Sequence, residues 1–312
     1  MAGYRVIIWL LGLGWLLLSF FWGSRFALAY LVTQTFLPLP IVLVGQRLGQ
    51  RAALLMVVDV LAIILALNPT LPKLLKHLSF GELLFLGLVL TYLLHRFTPA
   101  AAIAWAVALL TLVMVMFFLA QALHQGVTPL DLWGQKSREI ADTVIKLMGS
   151  AGVNSNSLKL LGLSPVDWHT IIVQLLPSLM IINTALVAWL NVALARQGEA
   201  FLGAGPPTPP LWQWSAPERF IFVFLAAGFL LLAPVKIVRL VSLNLLLICA
   251  FVYFLQGVAV IAALFDRFKI HKILRLMGYL LIFFNPMFIV VLILGLMDLW
   301  LDFRRLQVPQ NG

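Results

Sequence analysis

Nine runs of apolar residues, separated by short polar or glycine- and proline-containing segments, account for most of the chain: Val6–Phe21, Phe26–Gly45, Ala52–Leu67, Phe80–Leu94, Pro99–Ala120, Val166–Leu194, Arg219–Leu232, Arg239–Phe265 and Leu276–Trp300. A helix crossing the ~30 Å hydrocarbon core of a bilayer needs about 20 such residues. The pattern predicts an all-α, polytopic transmembrane bundle of eight or nine spans. The count turns on the last run, which Asn285–Pro286 divides, because nine simple crossings would export Arg304 and Arg305.

Helix starts are marked by hydroxyls placed to accept the free N–H groups of a first turn. The segments are SFGE (Ser79, Glu82), TPAA (Thr98, Pro99), TPLD (Thr128, Asp131), SPVD (Ser164, Asp167) and SAPE (Ser215, Glu218). Four put an acid three residues on, and three put proline at the first helical position.

Two segments break the membrane pattern. Within an extracytoplasmic insert (122–165), Ile140, Val144, Leu147 and Met148 recur at helical spacing opposite Lys136, Arg138, Glu139, Asp142 and Lys146. This predicts an amphipathic helix lying on the interface or over a cavity mouth, followed by the loop GSAGVNSNS. The second, Gly198 to Trp214, has too much glycine and proline for a helix and carries interface-type tryptophans. The expected organisation is a six-span part (1–197), a linker (198–214) and C-terminal membrane helices (215–312).

Composition agrees: 63% hydrophobic and 10% charged residues, with a mean hydropathy of +1.06, exceed what a soluble core absorbs. The net charge of +10 sits mainly in the gaps between runs, which suits loop orientation and anionic headgroups rather than nucleic acid. The positive-inside rule puts Arg5, Arg47, Arg51, His95, Arg96, Arg196, Arg219, Arg267, Lys269, Lys272 and Arg275 in the cytoplasm and the insert outside. The first run follows Arg5, has no Ala-x-Ala cleavage pattern and is expected to remain as a helix. The lone Cys249 supports neither a disulfide nor a Cys-ligated metal.

No nucleotide-binding loop, H-E-x-x-H, G-x-S-x-G or paired Cys-x-x-Cys is present, so neither a catalytic residue, a metal nor a cofactor is expected. Asp298 and Asp302, one helical turn apart, are the nearest approach to a metal-holding pair. Beside Arg304 and Arg305 they read better as a headgroup-level salt-bridge cluster. Gly45 and Gly49 straddle the Gln46–Arg47 turn and predict a tight helix-to-helix loop, held by Arg47 and Arg51. Pro38 and Pro40 make the second span irregular, with freed carbonyls that find donors or line a cavity.

Asp59 lies near the middle of the third run, where a carboxylate costs several kcal/mol on most estimates. It either bridges to a group such as Gln34 or Gln121, or handles a proton, ion or ligand. The sixth run carries Trp168, His169, Gln174, Asn183 and Asn191 around Pro177. Amides and aromatics under a movable cover fit a small-molecule pocket. The candidate ligand residues are Asp59, Trp168, His169, Gln174 and Asn183.

The opening stretch, LPSLMIINTALVAWLNVALAR (Leu176–Arg196), W-x-x-P (Trp214–Pro217), YFLQGVAVI (Tyr253–Ile261) and GLMDLWLDFRR (Gly295–Arg305) resemble the YybS-like family of bacterial multi-pass membrane proteins. That family has no defined activity. The first part resembles the S components of energy-coupling-factor vitamin transporters in its short second span (Pro38–Gly45), glycine-containing turn (Gln46–Arg51) and third-span acid (Asp59). This resemblance implies a six-helix solute-binding fold and a membrane coupling subunit as partner. The first helix lacks an A-x-x-x-A docking face and the C-terminal spans lie outside that fold.

The expected function is small-solute binding or transport in the bacterial cytoplasmic membrane, with the bilayer and a small solute as partners. The alternatives are a non-catalytic scaffold or assembly factor, and third a lipid-processing enzyme.

Overall fold

The computed structural model describes residues 2–23, 32–67, 78–150, 165–200, 203, 210–282 and 287–304. Among the described residues there are eleven α-helices, one 3-10 turn (Leu211–Gln213) and no strand. In chain order the helices are α1 Ala2–Gly23, α2 Pro38–Leu48, α3 Gln50–Leu67, α4 Leu78–Leu94, α5 Pro99–Gln125, α6 Pro129–Ser150, α7 Pro165–Glu199, α8 Phe220–Leu230, α9 Lys236–Arg267, α10 Lys272–Ile282 and α11 Met287–Leu301.

Large apolar side chains face outward throughout; Leu123, Leu130 and Leu232 are each more than four-fifths exposed. Such faces are stable against lipid, not water. By length and composition four helical stretches suffice to cross a membrane: Gln50–Leu67, Pro99–Gln125, His169–Glu199 and Lys236–Arg267. A fifth arises if α10 and α11, inclined at 100°, form one broken crossing. Among the described residues, four or five stretches thus meet the length of the eight or nine spans expected, and Val6–Phe21, Phe80–Leu94 and Phe220–Leu230 are shorter apolar helices. The 11-residue α2 and α8 reach only about 16 Å each. Asn285–Pro286, expected to divide the last run, lies outside the described residues.

Three of the marked helix starts carry direct consequences. Thr98 Oγ1 accepts from Ala101 N at 3.4 Å at the head of α5. Thr128 Oγ1 accepts from Asp131 N at 3.2 Å and donates to Asp131 Oδ2 at 2.6 Å at the head of α6. α7 begins at Pro165, as SPVD requires. SAPE does not begin a helix: α8 starts at Phe220. The Ala216 N–H is spent on Gln256 Oε1 at 3.1 Å, and the Trp214 carbonyl on Arg304. Both bonds fix the segment before α8 as covering chain.

The chain forms two compact units, Met1–Val115 with Asn183–Thr208, and Met116–Ile182 with Pro209–Gly312. α5 and α7 contribute to both. The division after Thr208 falls within the expected linker, while Met116–Ile182 joins the C-terminal helices.

The first unit holds α1 to α4, the first part of α5 and the second part of α7. Its core is aliphatic, with Leu16, Ile41, Met56, Val60 and Ile64 fully buried. α2 and α4 approach closely, since a Cβ on Gly45 would collide with Thr91 and one on Gly87 with Ile41 at 2.8 Å. The turn between α2 and α3 sits at Gly49, whose φ of 93° suits glycine. It therefore comes later than the expected Gln46–Arg47 position, and Gly45 is a packing residue within α2.

In the second unit α6 lays its apolar side on α7, with Ala141, Ile172 and Leu176 buried together and Trp133 edge-on to Phe118 at 6.0 Å. α7 contains Pro177, which lacks an N–H and disturbs the preceding turn. The bond that Ser178 N–H would make to the Gln174 carbonyl is replaced. Asn244 Oδ1 accepts from Ser178 N at 2.9 Å, and Asn244 Nδ2 donates to Gln174 O at 2.9 Å. One amide from α9 thus patches both sides of the opened ladder, as membrane burial demands. Asn244→Leu should destabilise the protein by about 2 kcal/mol in denaturant titration in micelles, and restoring Pro177→Ala in that background should recover most of the loss.

Candidate functional site

The second apolar run is broken within the first unit. Residues 32–35 are helical, Phe36 and Leu37 turn, and α2 begins at Pro38. Proline at 38 and 40 removes two N–H donors, leaving carbonyls in the break that need partners inside a membrane. Within the break Leu37 N donates to Gln34 O and Leu39 N to Phe36 O, each at 3.3 Å, and two neighbouring helices add further donors. Trp15 Nε1 of α1 donates to Phe36 O at 3.2 Å. Asn191 Nδ2 of α7 donates to Thr35 O and to Val187 O, each at 2.7 Å.

Asn191 is fully buried. Its two carbonyl partners orient the amide, since only the NH₂ can donate, and Oδ1 therefore points away from both. That oxygen is buried without a donor, and so is Oε1 of Gln34, the residue before Thr35. An unmet buried acceptor costs roughly 1–3 kcal/mol, so two at one helix break mark an arrangement that stability alone does not favour.

The break is set back from the basic end of the unit. Arg47 Nη2 donates to Glu199 O at 2.7 Å, and Gln46 and His95 approach to 3.4 Å. These contacts gather Arg47, Arg51, His95, Arg96 and Arg196 at one end of the unit, as the positive-inside rule expects. The length of α2 places the break about 16 Å from that end.

Asp59 stands at the same height. Gly12 packs on both Met56 and Pro40, and Trp15, almost a turn further along α1, reaches Phe36. Asp59 is likewise almost a turn beyond Met56. Its side chain is half-buried and makes no hydrogen bond or ion pair with another described residue, so the expected bridge to Gln34 or Gln121 is not formed.

The remaining candidates divide. Asn183 belongs to the first unit and is exposed on α7. His169 and Gln174 belong to the second; His169 Nε2 lies 3.6 Å from Asp142 Oδ1 of α6, and the Gln174 backbone is held by Asn244. Trp168's side chain lies outside the described residues. Arg51 is exposed at the start of α3. Asn191, Trp15 and Gln34, which build the break, were not among the candidate site residues. Their signal was the pair of prolines at 38 and 40, whose freed carbonyls had to find donors somewhere.

The second unit holds a different polar cluster. Asp298 Oδ2 receives Arg304 Nη2 at 2.5 Å, Arg304 Nε at 3.0 Å and Gln256 Nε2 at 3.1 Å. Arg304 Nη1 donates to the Trp212 and Trp214 carbonyls at 2.9 and 2.6 Å. Both charged side chains are 2% exposed. The expected Asp298–Arg304 pairing is present, but it is buried rather than set out at headgroup level, because the Pro210–Pro217 segment covers it. α11 ends at Leu301, and Asp302 takes a φ of 39° in the turn beyond. The two carboxylates are not presented as one helical pair. Arg305 lies outside the described residues.

A family model described as "Predicted membrane protein (DUF2232)" matches residues 15–299. The chain belongs to this family. A curated relative, "Uncharacterized protein YybS" of Bacillus subtilis (strain 168), is 22% identical over 277 residues, covering 86% of this chain and 87% of the relative. No solved structure matches. The DUF2232 membership, with the apolar helices, makes this a multi-pass membrane protein in contact with the bilayer. Three of the stretches that carry the YybS resemblance, Trp214–Pro217, Tyr253–Ile261 and Gly295–Arg305, meet at the Gln256–Asp298–Arg304 cluster.

Proposed function

We propose that this DUF2232 protein is a non-catalytic solute-binding or transport protein of the bacterial cytoplasmic membrane. Its first unit, resembling an S component, holds a small molecule at the break in the second apolar run. The observation that carries the reading is the fully buried Asn191, whose Oδ1 lacks a donor at a helix break about 16 Å from the basic end of the unit. Discontinuous helices are where many secondary transporters bind their cargo. The bacterial relative supports the cytoplasmic membrane, with the basic end of the unit inward.

The test is thermal unfolding of the protein in lipid nanodiscs across a panel of vitamins and metabolites. A ligand present at a hundredfold its Kd should stabilise by about 2.7 kcal/mol, and Trp15→Phe, which removes the side-chain donor to the Phe36 carbonyl, should weaken the response. A flat panel with an unchanged Trp15→Phe profile removes the proposal.

A scaffold or assembly role is the second reading, favoured by the second unit. There Asn244, Gln256, Asp298 and Arg304 all tie helices or backbone together. A stoichiometric protein partner with no bound small molecule would select it.

A further inference from the structure

We infer that the corner between α9 and α10 binds the head group of an anionic phospholipid.

The corner is held in one shape. Arg275 of α10 reaches back over it: Nη1 pairs with Asp266 Oδ1 at 2.7 Å, while Nη2 donates to Phe265 O and Nε to Ile270 O, each at 3.0 Å. Two backbone bonds close the turn, from Lys269 N to Asp266 O at 3.1 Å and from Ile270 N to Phe265 O at 2.9 Å. Lys269 takes a φ of 51° there, a left-handed conformation uncommon outside glycine. α10 then packs over the end of α9, with Tyr279 edge-on to Phe265 at 5.4 Å and Gly278 too close to that ring to carry a Cβ.

What the corner leaves unpaired is positive. Arg267, Lys269 and Lys272 are exposed, and their side chains make no hydrogen bond or ion pair with a described residue. The single carboxylate between positions 266 and 282 is Asp266, which Arg275 already neutralises. All three cations sit on one fixed turn, so a multi-oxygen anion can meet more than one of them.

The neighbouring surface decides which anion. Phe268, between Arg267 and Lys269, is 67% exposed, and Ile273, Leu274, Leu276 and Met277 along α10 are each more than half exposed. A soluble phosphate or an acidic peptide leaves that apolar surface in water. A phospholipid covers it with acyl chains while its phosphate meets the basic groups, the division that long basic side chains make at a membrane edge. The positive-inside rule sets the corner at the cytoplasmic leaflet.

The experiment mixes the full chain, in a neutral detergent, with equimolar phosphatidylglycerol and phosphatidylcholine and follows lipid retention by native mass spectrometry. Wild type should retain phosphatidylglycerol in preference. Lys269→Gln/Lys272→Gln removes charge at two exposed positions, so its melting temperature should match wild type. It should hold the tightest phosphatidylglycerol about 25-fold more weakly, roughly fivefold per charge. Arg138→Gln/Lys146→Gln removes the same charge from exposed positions on α6 and should retain the lipid as wild type does. Equal retention of the two lipids by wild type, an undiminished preference in Lys269→Gln/Lys272→Gln, or an equal loss in the α6 variant overturns the inference. Displacement of phosphatidylglycerol by inorganic phosphate also overturns it, by making the corner a site for soluble anions.

Discussion

Arg304→Met lowers stability against unfolding in micelles by about 3–5 kcal/mol, the usual cost of stranding one member of a buried ion pair. Asp298 would keep only Gln256 as a donor in a site where both charged side chains are 2% exposed. The Trp212 and Trp214 carbonyls would lose the guanidinium that holds the 210–217 segment. Asp298→Leu alone should cost a similar amount, by leaving the arginine uncompensated. The double variant should be closer to wild type than either single one, because replacing both partners removes the unpaired charge. Additive losses in the double variant would mean that the two residues act independently, which their 2.5 Å separation does not allow.

Gly295→Ala is the second large effect, about 3 kcal/mol or more, at the upper end of overpacking costs. α9 and α11 touch through backbone. A Cβ on Gly295 would collide with the Tyr253 carbonyl and lie 2.5 Å from Gly257 N, while one on Gly257 would collide with the Val291 carbonyl. Neither obstacle is a flexible side chain that can swing away, so the helices must separate. Separation also disturbs the Phe254–Phe288 stack, whose centroids are 4.5 Å apart. Gly228→Ala in α8, where a Cβ meets nothing within 4 Å, should be nearly neutral or slightly stabilising and serves as the control.

Local features were legible in the sequence. The hydroxyls at Thr98 and Thr128 and the proline at 165 mark helix starts through groups within three or four residues, and the structure keeps them. The amphipathic α6 follows from its own periodicity, and the break before Pro38 from proline's missing N–H. What was not legible depends on distant partners. SAPE satisfies the local rule for a helix start, yet α8 begins at Phe220 and the SAPE segment is tied instead to Gln256, 40 positions away. Asn244 looks like an isolated polar residue until Pro177, on another helix, opens the ladder it repairs. Asp298 and Arg304 were expected to pair, yet only the covering Trp212–Trp214 backbone makes that pair buried. Helix length was not legible either: the apolar runs do not show where a helix stops, and α2 and α8 have 11 residues each.

The candidate site was half visible. Asp59 and the proline-broken run were recognisable as features that a membrane does not tolerate without a reason. Asn191 was one amide among several in the sixth run, and nothing in its neighbourhood distinguished it from Asn183. Folding separates the two, since Asn191 is fully buried against the break and Asn183 is exposed.

The most direct test is native mass spectrometry of the protein released from nanodiscs formed from its own membrane, without detergent exchange. The account predicts a non-covalent small-molecule adduct, distinct from phospholipid, on the wild-type chain that is lost from a folded Gln34→Leu variant. A wild-type chain that is folded and free of such an adduct in repeated preparations would contradict it.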